Sequence, residues 1–207
     1  MLSLNPSNHR TSLADRFRNA LLHLSIASVG TIALLITADR SAIAQTPLTN
    51  NSRLAIDGIG PIQVGMTIAE AQAATGMRFT SGHSFGRTPD WQCSYFTPAN
   101  GPEGLRLMVI NGEIARVDIT GDSRIETLSG AGIGDSQRSV VSLYPGQIEI
   151  SRHPYIGSPP YNGRYLTYVP QDAADRAYSL IFETSQGEVT SFRSGFRDAV
   201  AAIEGCA

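Results

Sequence analysis

The residues with the strongest chemical potential are Gly82-His83-Ser84-Phe85-Gly86, which fit Gly-x-Ser-x-Gly. In that pattern a strained strand-to-helix turn holds a serine hydroxyl exposed, and a later carboxylate and histidine complete a charge-relay set. Asp118 or Asp122 followed by His153 supplies those partners in the order Ser, Asp, His. The flanking sequence argues against an elbow. Arg87-Thr88-Pro89-Asp90 follows, where no helix with an apolar stripe can begin, and alternating β/α units are missing from the chain. A glycine-rich loop is the favoured reading of the segment, and a small serine hydrolase using Ser84 and His153 is the alternative. Asp118 and Asp122 flank a turn, as solvated carboxylates do.

A second cluster has recognition chemistry. Arg152-His153-Pro154-Tyr155 and Tyr161-Asn162-Gly163-Arg164 gather aromatic rings and cations around a Pro- and Gly-rich loop. Tyr and Arg are enriched at binding surfaces because they offer large amphipathic area at small entropic cost. Tyr155 and Tyr161 are the expected contact residues, with Arg152, His153 and Arg164 beside them; simple packing of alternate tyrosines in a sheet is the competing explanation. Arg193 and Arg197 are expected to neutralise nearby acids, and Trp91 to lie in the core.

No metal or cofactor pattern appears. From residue 45 onward the histidines are His83 and His153 alone, and no zinc or calcium spacing occurs. The chain contains no lysine, which excludes a Schiff-base lysine and a Walker-type phosphate loop. No cofactor is expected, and the sequence selects no carboxylate pair for glycoside chemistry.

The compartment is legible at the start of the chain. Arg10, Arg16 and Arg18 precede an apolar run over 20–38, and Ala42-Ile43-Ala44 then offers small residues before Gln45. Basic start, apolar middle and an Ala-x-Ala end read as a secretory signal over 1–44; a retained anchor is the other reading. No cysteine follows the run, so a bacterial lipid anchor is ruled out. Without residues 1–44 the chain keeps 12 arginines against 16 acids, a net charge of −4. No basic run exists to bind nucleic acid or an anionic membrane. The expected location is secreted or periplasmic, with no stable membrane insertion after cleavage.

Cys93 and Cys206 are the only cysteines. Export and an even count favour one bridge, with two free thiols as the alternative. Closing a loop of about a hundred residues is worth about 4–5 kcal/mol in the chain-entropy view.

Residues 45–53 are polar and aperiodic, a linker. Thr67-x-x-Glu70 is a capping box opening an Ala-rich helix that Gly76 stops. Residues 77–90 read as irregular, and 91–97 alternate as a strand. Leu105–Ile110, Asn111-Gly112 and 113–120 form a β-hairpin, because Asn-Gly suits the two positive φ angles of a type I′ turn. Ser136 opens a second helix ended by Pro145-Gly146. Strands follow over 147–152 and 164–169, then a second hairpin over 178–184 and 188–193 turning near Gln186-Gly187. Two copies of helix, strand and hairpin, over 54–122 and 123–207, predict an α+β domain. In it two tandem helix-plus-antiparallel-sheet repeats place their helices on the sheet.

Val64-Gly65-Met66-Thr67, opening a short helix that ends in Gly76 and leads into antiparallel strands, resembles a unit found in two families. One is the β-lactamase inhibitory proteins, with two tandem units; the other is the small outer-membrane assembly lipoproteins of the SmpA/OmlA type, with one. The second copy carries Gly134-Asp135-Ser136 in place of Gly65-Met66-Thr67. The resemblance implies a fold and a binding habit, and carries no site residue across. The leading expectation is a non-enzymatic binding module of the cell envelope, monomeric or weakly associating. It would act as an inhibitor or assembly factor whose partner is another envelope protein; a purely structural envelope protein is the further alternative.

Overall fold

The computed structural model describes residues 44–88 and 91–206, with the side chains of 83–88 and 91 excepted. The expected signal over 1–44 therefore lies almost wholly outside the described residues. Among the described residues there are twelve strands: β1 (Arg53–Ala55), β2 (Gly58–Ile59), β3 (Ile62–Gln63), β4 (Phe79–Thr88), β5 (Trp91–Pro98), β6 (Leu105–Ile110), β7 (Glu113–Ile119), β8 (Glu126–Thr127), β9 (Ile148–Arg152), β10 (Arg164–Tyr168), β11 (Tyr178–Ser185) and β12 (Glu188–Phe196). Three short helices accompany them: α1 (Ile68–Thr75), α2 (Gln137–Leu143) and α3 (Arg197–Ala201).

One antiparallel sheet dominates, with eight strands in the order β4-β5-β6-β7-β12-β11-β10-β9. Two four-stranded meanders meet at β7 and β12, where Ser194 lies opposite Val117. Their hairpins turn as the sequence predicts: Asn111 and Gly112 have φ of 51° and 91°, and Gln186 and Gly187 have 54° and 90°. A smaller sheet, β3-β2-β1-β8, contains a parallel pairing of β1 with β8.

The two faces of the large sheet differ in chemistry. Leu105, Leu107, Val117, Ile119, Leu166, Leu180, Phe182 and Phe192 form one apolar layer with Leu54, Ile59 and Ile62 of the small sheet and with Ala71 and Val140 of the helices. The other face carries Arg116, Asp118, Glu183 and Arg193, with Tyr95 and Tyr165 nearby, and α3 and the segment after it lie against it.

The predicted α+β class, two tandem helix-plus-sheet repeats with helices packed on the sheet, is corrected: the fold is mostly β. Gly76, with φ 69°, stops α1 after eight residues, and α2 has seven. Only Ala71 and Thr75 of α1 and Val140 of α2 are fully buried, too little apolar surface to make a layer. Meanwhile β4 occupies ten residues that read as irregular, and the small sheet supplies the cover that helices were expected to give. The capping box on α1 does form: Glu70 N–H donates to Thr67 Oγ1 at 3.3 Å, and Thr67 N–H donates to Glu70 Oε2 at 2.8 Å. That bonding holds the Glu70 carboxyl below its ordinary range, the backbone hydrogen bond contributing most. Residues expected to be a linker are instead docked, since Leu48 is buried in the core and Thr46 N–H donates to Ala74 O at 3.0 Å.

Among the described residues no helix is long and apolar enough to cross a membrane.

Candidate functional site

The loop between β9 and β10 is held from inside. His153 is only 7% exposed, and its Nδ1 accepts the N–H groups of Tyr155 and Ile156 at 3.1 and 3.3 Å. That bonding reserves Nδ1 as an acceptor and leaves the proton on Nε2, which faces Glu183 Oε2 at 3.7 Å. Arg164 Nη1 donates to the carbonyl oxygens of Gly163 at 2.9 Å, and of Gly157 and Asn162 at 3.3 Å. Arg152 donates to the Ser158 hydroxyl. The Pro159-Pro160 peptide between them is cis.

Three of the five residues predicted to bind, Arg152, His153 and Arg164, thus use polar groups to shape the loop. The other two face outward. Tyr155 is 65% exposed and Tyr161 51%. Tyr155 Oη donates to Glu204 Oε1 at 2.7 Å, a bond that raises its pKa. It ties the loop to the C-terminal segment.

Beside this loop runs an open sheet edge. His153 N–H donates to Gly163 O at 3.0 Å and Val169 N–H to Gln147 O at 2.8 Å, both in the register that sets Ile150 opposite Leu166. Antiparallel pairing alternates, so Glu149 and Ser151 turn their backbone groups toward β10. Ile148, Ile150 and Arg152 then turn theirs away from the sheet, where β9 has no neighbour among the described residues. The ladder on β9 is regular, whereas β4 at the opposite edge shifts register between Ser81 and Ser84 and again between Phe85 and Arg87. Bulges of that kind discourage further pairing. Ile150, 54% exposed, stands on the open strand. Among the described residues, six of the eight exposed large apolar side chains, Val141, Leu143, Ile150, Tyr155, Tyr161 and Val169, fall within 141–169, and the other two are Leu128 and Ile203.

The sequence reading missed the Ile150 edge. The alternation over 147–152 marks a strand, but only the strand order shows that it has one neighbour.

The polar face is the other concentration of charge. Arg116 Nε donates to Asp118 Oδ2 at 3.1 Å, its Nη1 to Ala199 O and Ala202 O at 2.7 and 2.8 Å, and its Nη2 to Tyr95 Oη at 2.7 Å. Arg193 pairs with Glu183 and donates from Nε to Val200 O at 2.7 Å. Both guanidinium groups therefore cap carbonyls at the end of α3, where a cation suits the helix dipole. Burial works against the Arg193 charge, yet Glu183 and Tyr165 together outweigh it and the pKa is raised. Burial lifts the hydroxyl pKa of Tyr95 and Tyr165, with Asp118 and Glu183 respectively adding to the effect.

Asp118 is thus a buried ion-pair partner, where the sequence suggested a solvated turn carboxylate. Arg193 neutralises an acid as expected. The Cys93–Cys206 bridge is formed, with Cα atoms 5.3 Å apart, and fastens the C-terminal segment over the same face. A pocket of about 300 Å³ remains there, with Arg106, Asp118 and Glu204 among its walls. Its acids and bases are balanced, and the two buried arginines bond carbonyls and carboxylates, while Arg193 Nη2 and the Tyr165 hydroxyl have no hydrogen-bond partner among the described residues.

The Ser, Asp, His set is not assembled. The backbone of Gly82-His83-Ser84-Phe85-Gly86 lies in β4, paired antiparallel with β5, and not at a strand-to-helix turn. His153 follows β9, at the other edge of the eight-stranded sheet. At roughly 4.8 Å per strand, seven spacings separate the two edges. The side chains of His83, Ser84 and Trp91 lie outside the described residues. Among the described residues no three His, Cys, Asp or Glu side chains converge as a metal site. The chain matches no protein-family model, no curated protein and no solved structure.

Proposed function

We propose that this protein is an exported binding module that recognises another envelope protein through the open edge of β9 and the adjoining tyrosine loop. The observation that carries the reading is the coincidence of a regular strand edge, unpaired among the described residues, with exposed Ile150, Tyr155 and Tyr161. An extended segment of a partner gains main-chain hydrogen bonds at such an edge, while alternate side chains supply selectivity. The disulfide fits an oxidising compartment outside the cytoplasm. Hydrogen bonds made by Arg152, His153 and Arg164 within the loop hold it in place, so the two tyrosines are presented on a backbone with little freedom to lose on binding.

The test is affinity capture with cross-linking from an envelope extract, comparing the tagged full chain with two variants. Ile150→Pro removes one outward N–H without touching the β10 ladder; Tyr155→Ala with Tyr161→Ala removes the exposed rings. Partners that cross-link to the unaltered chain are expected to be lost from both variants. An unchanged set of cross-linked proteins in both refutes the reading.

A further inference from the structure

We propose that a second site, the pocket between β1, the turn after β8 and the tyrosines Tyr144 and Tyr168, takes a guanidinium or ammonium group carried on an apolar stem. The space is about 290 Å³, enough for the end of one basic side chain. Its inner wall is apolar and aromatic: Leu54 and Tyr144 are buried, and the rings of Tyr144 and Tyr168 stand 5.3 Å apart, tilted by 59°. Tyr144 is fixed by the hydroxyl bond it donates to Thr127 Oγ1 at 2.7 Å. Tyr144 and Tyr168 both line the space, and aromatic rings attract cations at their faces.

Two carboxylates also line this space, Asp57 from the turn between β1 and β2 and Asp175 from the 3₁₀ turn before β11. Both are half-buried, and neither belongs to an ion pair among the described residues. Among the described residues no basic side chain lines the pocket. Half-buried carboxylates without a counter-charge favour a cation and reject an anion. The apolar wall selects among cations for one with a hydrocarbon stem, because a hydrated inorganic ion gains nothing from Leu54 or the rings.

Leu128 is 72% exposed at the mouth. A free small amine would leave it in water; a polypeptide delivering an arginine or lysine would cover it. The occupant is thus a basic side chain of a partner polypeptide. The site does not use the outward edge of β9 and stands whether or not that edge binds.

Titration of the folded full chain by amide NMR tests this, with n-butylguanidinium, neutral n-butylurea and the peptide acetyl-Gly-Arg-Gly-amide as probes. The expected result is saturable shifts at residues 54–57 and 128–129 with the guanidinium. Butylurea, and the guanidinium against Asp57→Asn plus Asp175→Asn, should each bind about tenfold more weakly. Tighter binding of the peptide, weakened by Leu128→Ser, identifies a polypeptide as the source; equal binding of fragment and peptide identifies a free amine and overturns that part of the proposal. Equal binding of butylurea and butylguanidinium, or no shift at these residues, overturns the site itself. Should the double variant unfold, Asp57→Asn alone and the loss of affinity with added salt give the same reading.

Discussion

Replacing Arg116 by methionine is expected to be among the most costly single changes outside the apolar core. The side chain is 3% exposed, and its guanidinium serves Asp118, Tyr95 and two carbonyls of the α3 C-terminus at once. Methionine preserves much of the hydrocarbon volume, so little of the loss is a cavity. What remains is a buried Asp118 carboxylate without its partner and the carbonyls of Ala199 and Ala202 without a donor. Breaking a buried pair by removing one member costs about 3–5 kcal/mol, a large share of a total stability of about 5–15 kcal/mol. For a domain of this size that is a fall in melting temperature of roughly 6–20 °C. Urea denaturation followed by circular dichroism measures it. Hydrogen exchange should show α3 opening first, because its end loses its cap while Cys206 stays tethered. Adding Asp118→Leu removes the stranded charge, so the double variant should recover at least about 1 kcal/mol relative to Arg116→Met. A single variant within about 1 kcal/mol of the parent, or a double variant as costly as the two changes summed, would refute the claim that this pair and its caps hold the segment down.

Three further outcomes follow from the same geometry. Cys206→Ser opens a bridge with a sequence separation of 113 residues and should lower stability by about 4 kcal/mol, with a smaller loss if the reduced chain stays compact; denaturation with and without reductant reads it. His153→Leu removes the acceptor for two loop N–H groups and should cost about 1–3 kcal/mol. His153→Asn should keep most of that, because a carboxamide oxygen can cap the same turn, and a loop equally protected from exchange in both variants would contradict this. Alkaline pH is the third. Tyr95, Tyr144 and Tyr165 have hydroxyl pKa values raised by burial, so the unfolded chain loses these protons first. Their contribution is complete below the unfolded value of about 10 and is lost as pH climbs through the folded values. Stability measured from pH 8 to 11.5 should fall, less steeply in Tyr144→Phe, and a flat profile would contradict the burial argument.

Local chemistry was readable from the chain and tertiary pairing was not. Thr67 and Glu70 announce their capping box because every participant lies within four residues, and Asn111-Gly112 announces its turn because φ is a local property. The cysteine pair was legible from arithmetic and compartment together. Strand β4 was hidden because its glycines, serines and threonines read as coil; it is a strand by virtue of β5 beside it. The length of α1 was visible at Gly76, but whether eight residues make a layer depends on what else covers the sheet, and that cover comes from strands of two and three residues. Leu48 looked like part of a polar linker because one apolar residue has no period. Asp118 looked like a turn acid because its partner Arg116 stands two residues away on the same strand, and burial of the pair depends on α3, whose Ala199 lies 83 residues beyond Arg116. In the site, Tyr155 and Tyr161 were legible by type, while Ile150 was not, since a strand pattern looks alike with one neighbour or two.

The inequality of the two sheet edges has a consequence for how copies of this molecule can associate. A filament built by strand addition needs two receptive sides on every subunit, one to join the growing end and one to extend it. Here β9 is regular and β4 is interrupted twice. Self-association through the edges of the large sheet therefore closes on itself after one step, β9 against β9 about a two-fold axis, and terminates as a pair where a sheet with two clean edges would propagate into a fibre.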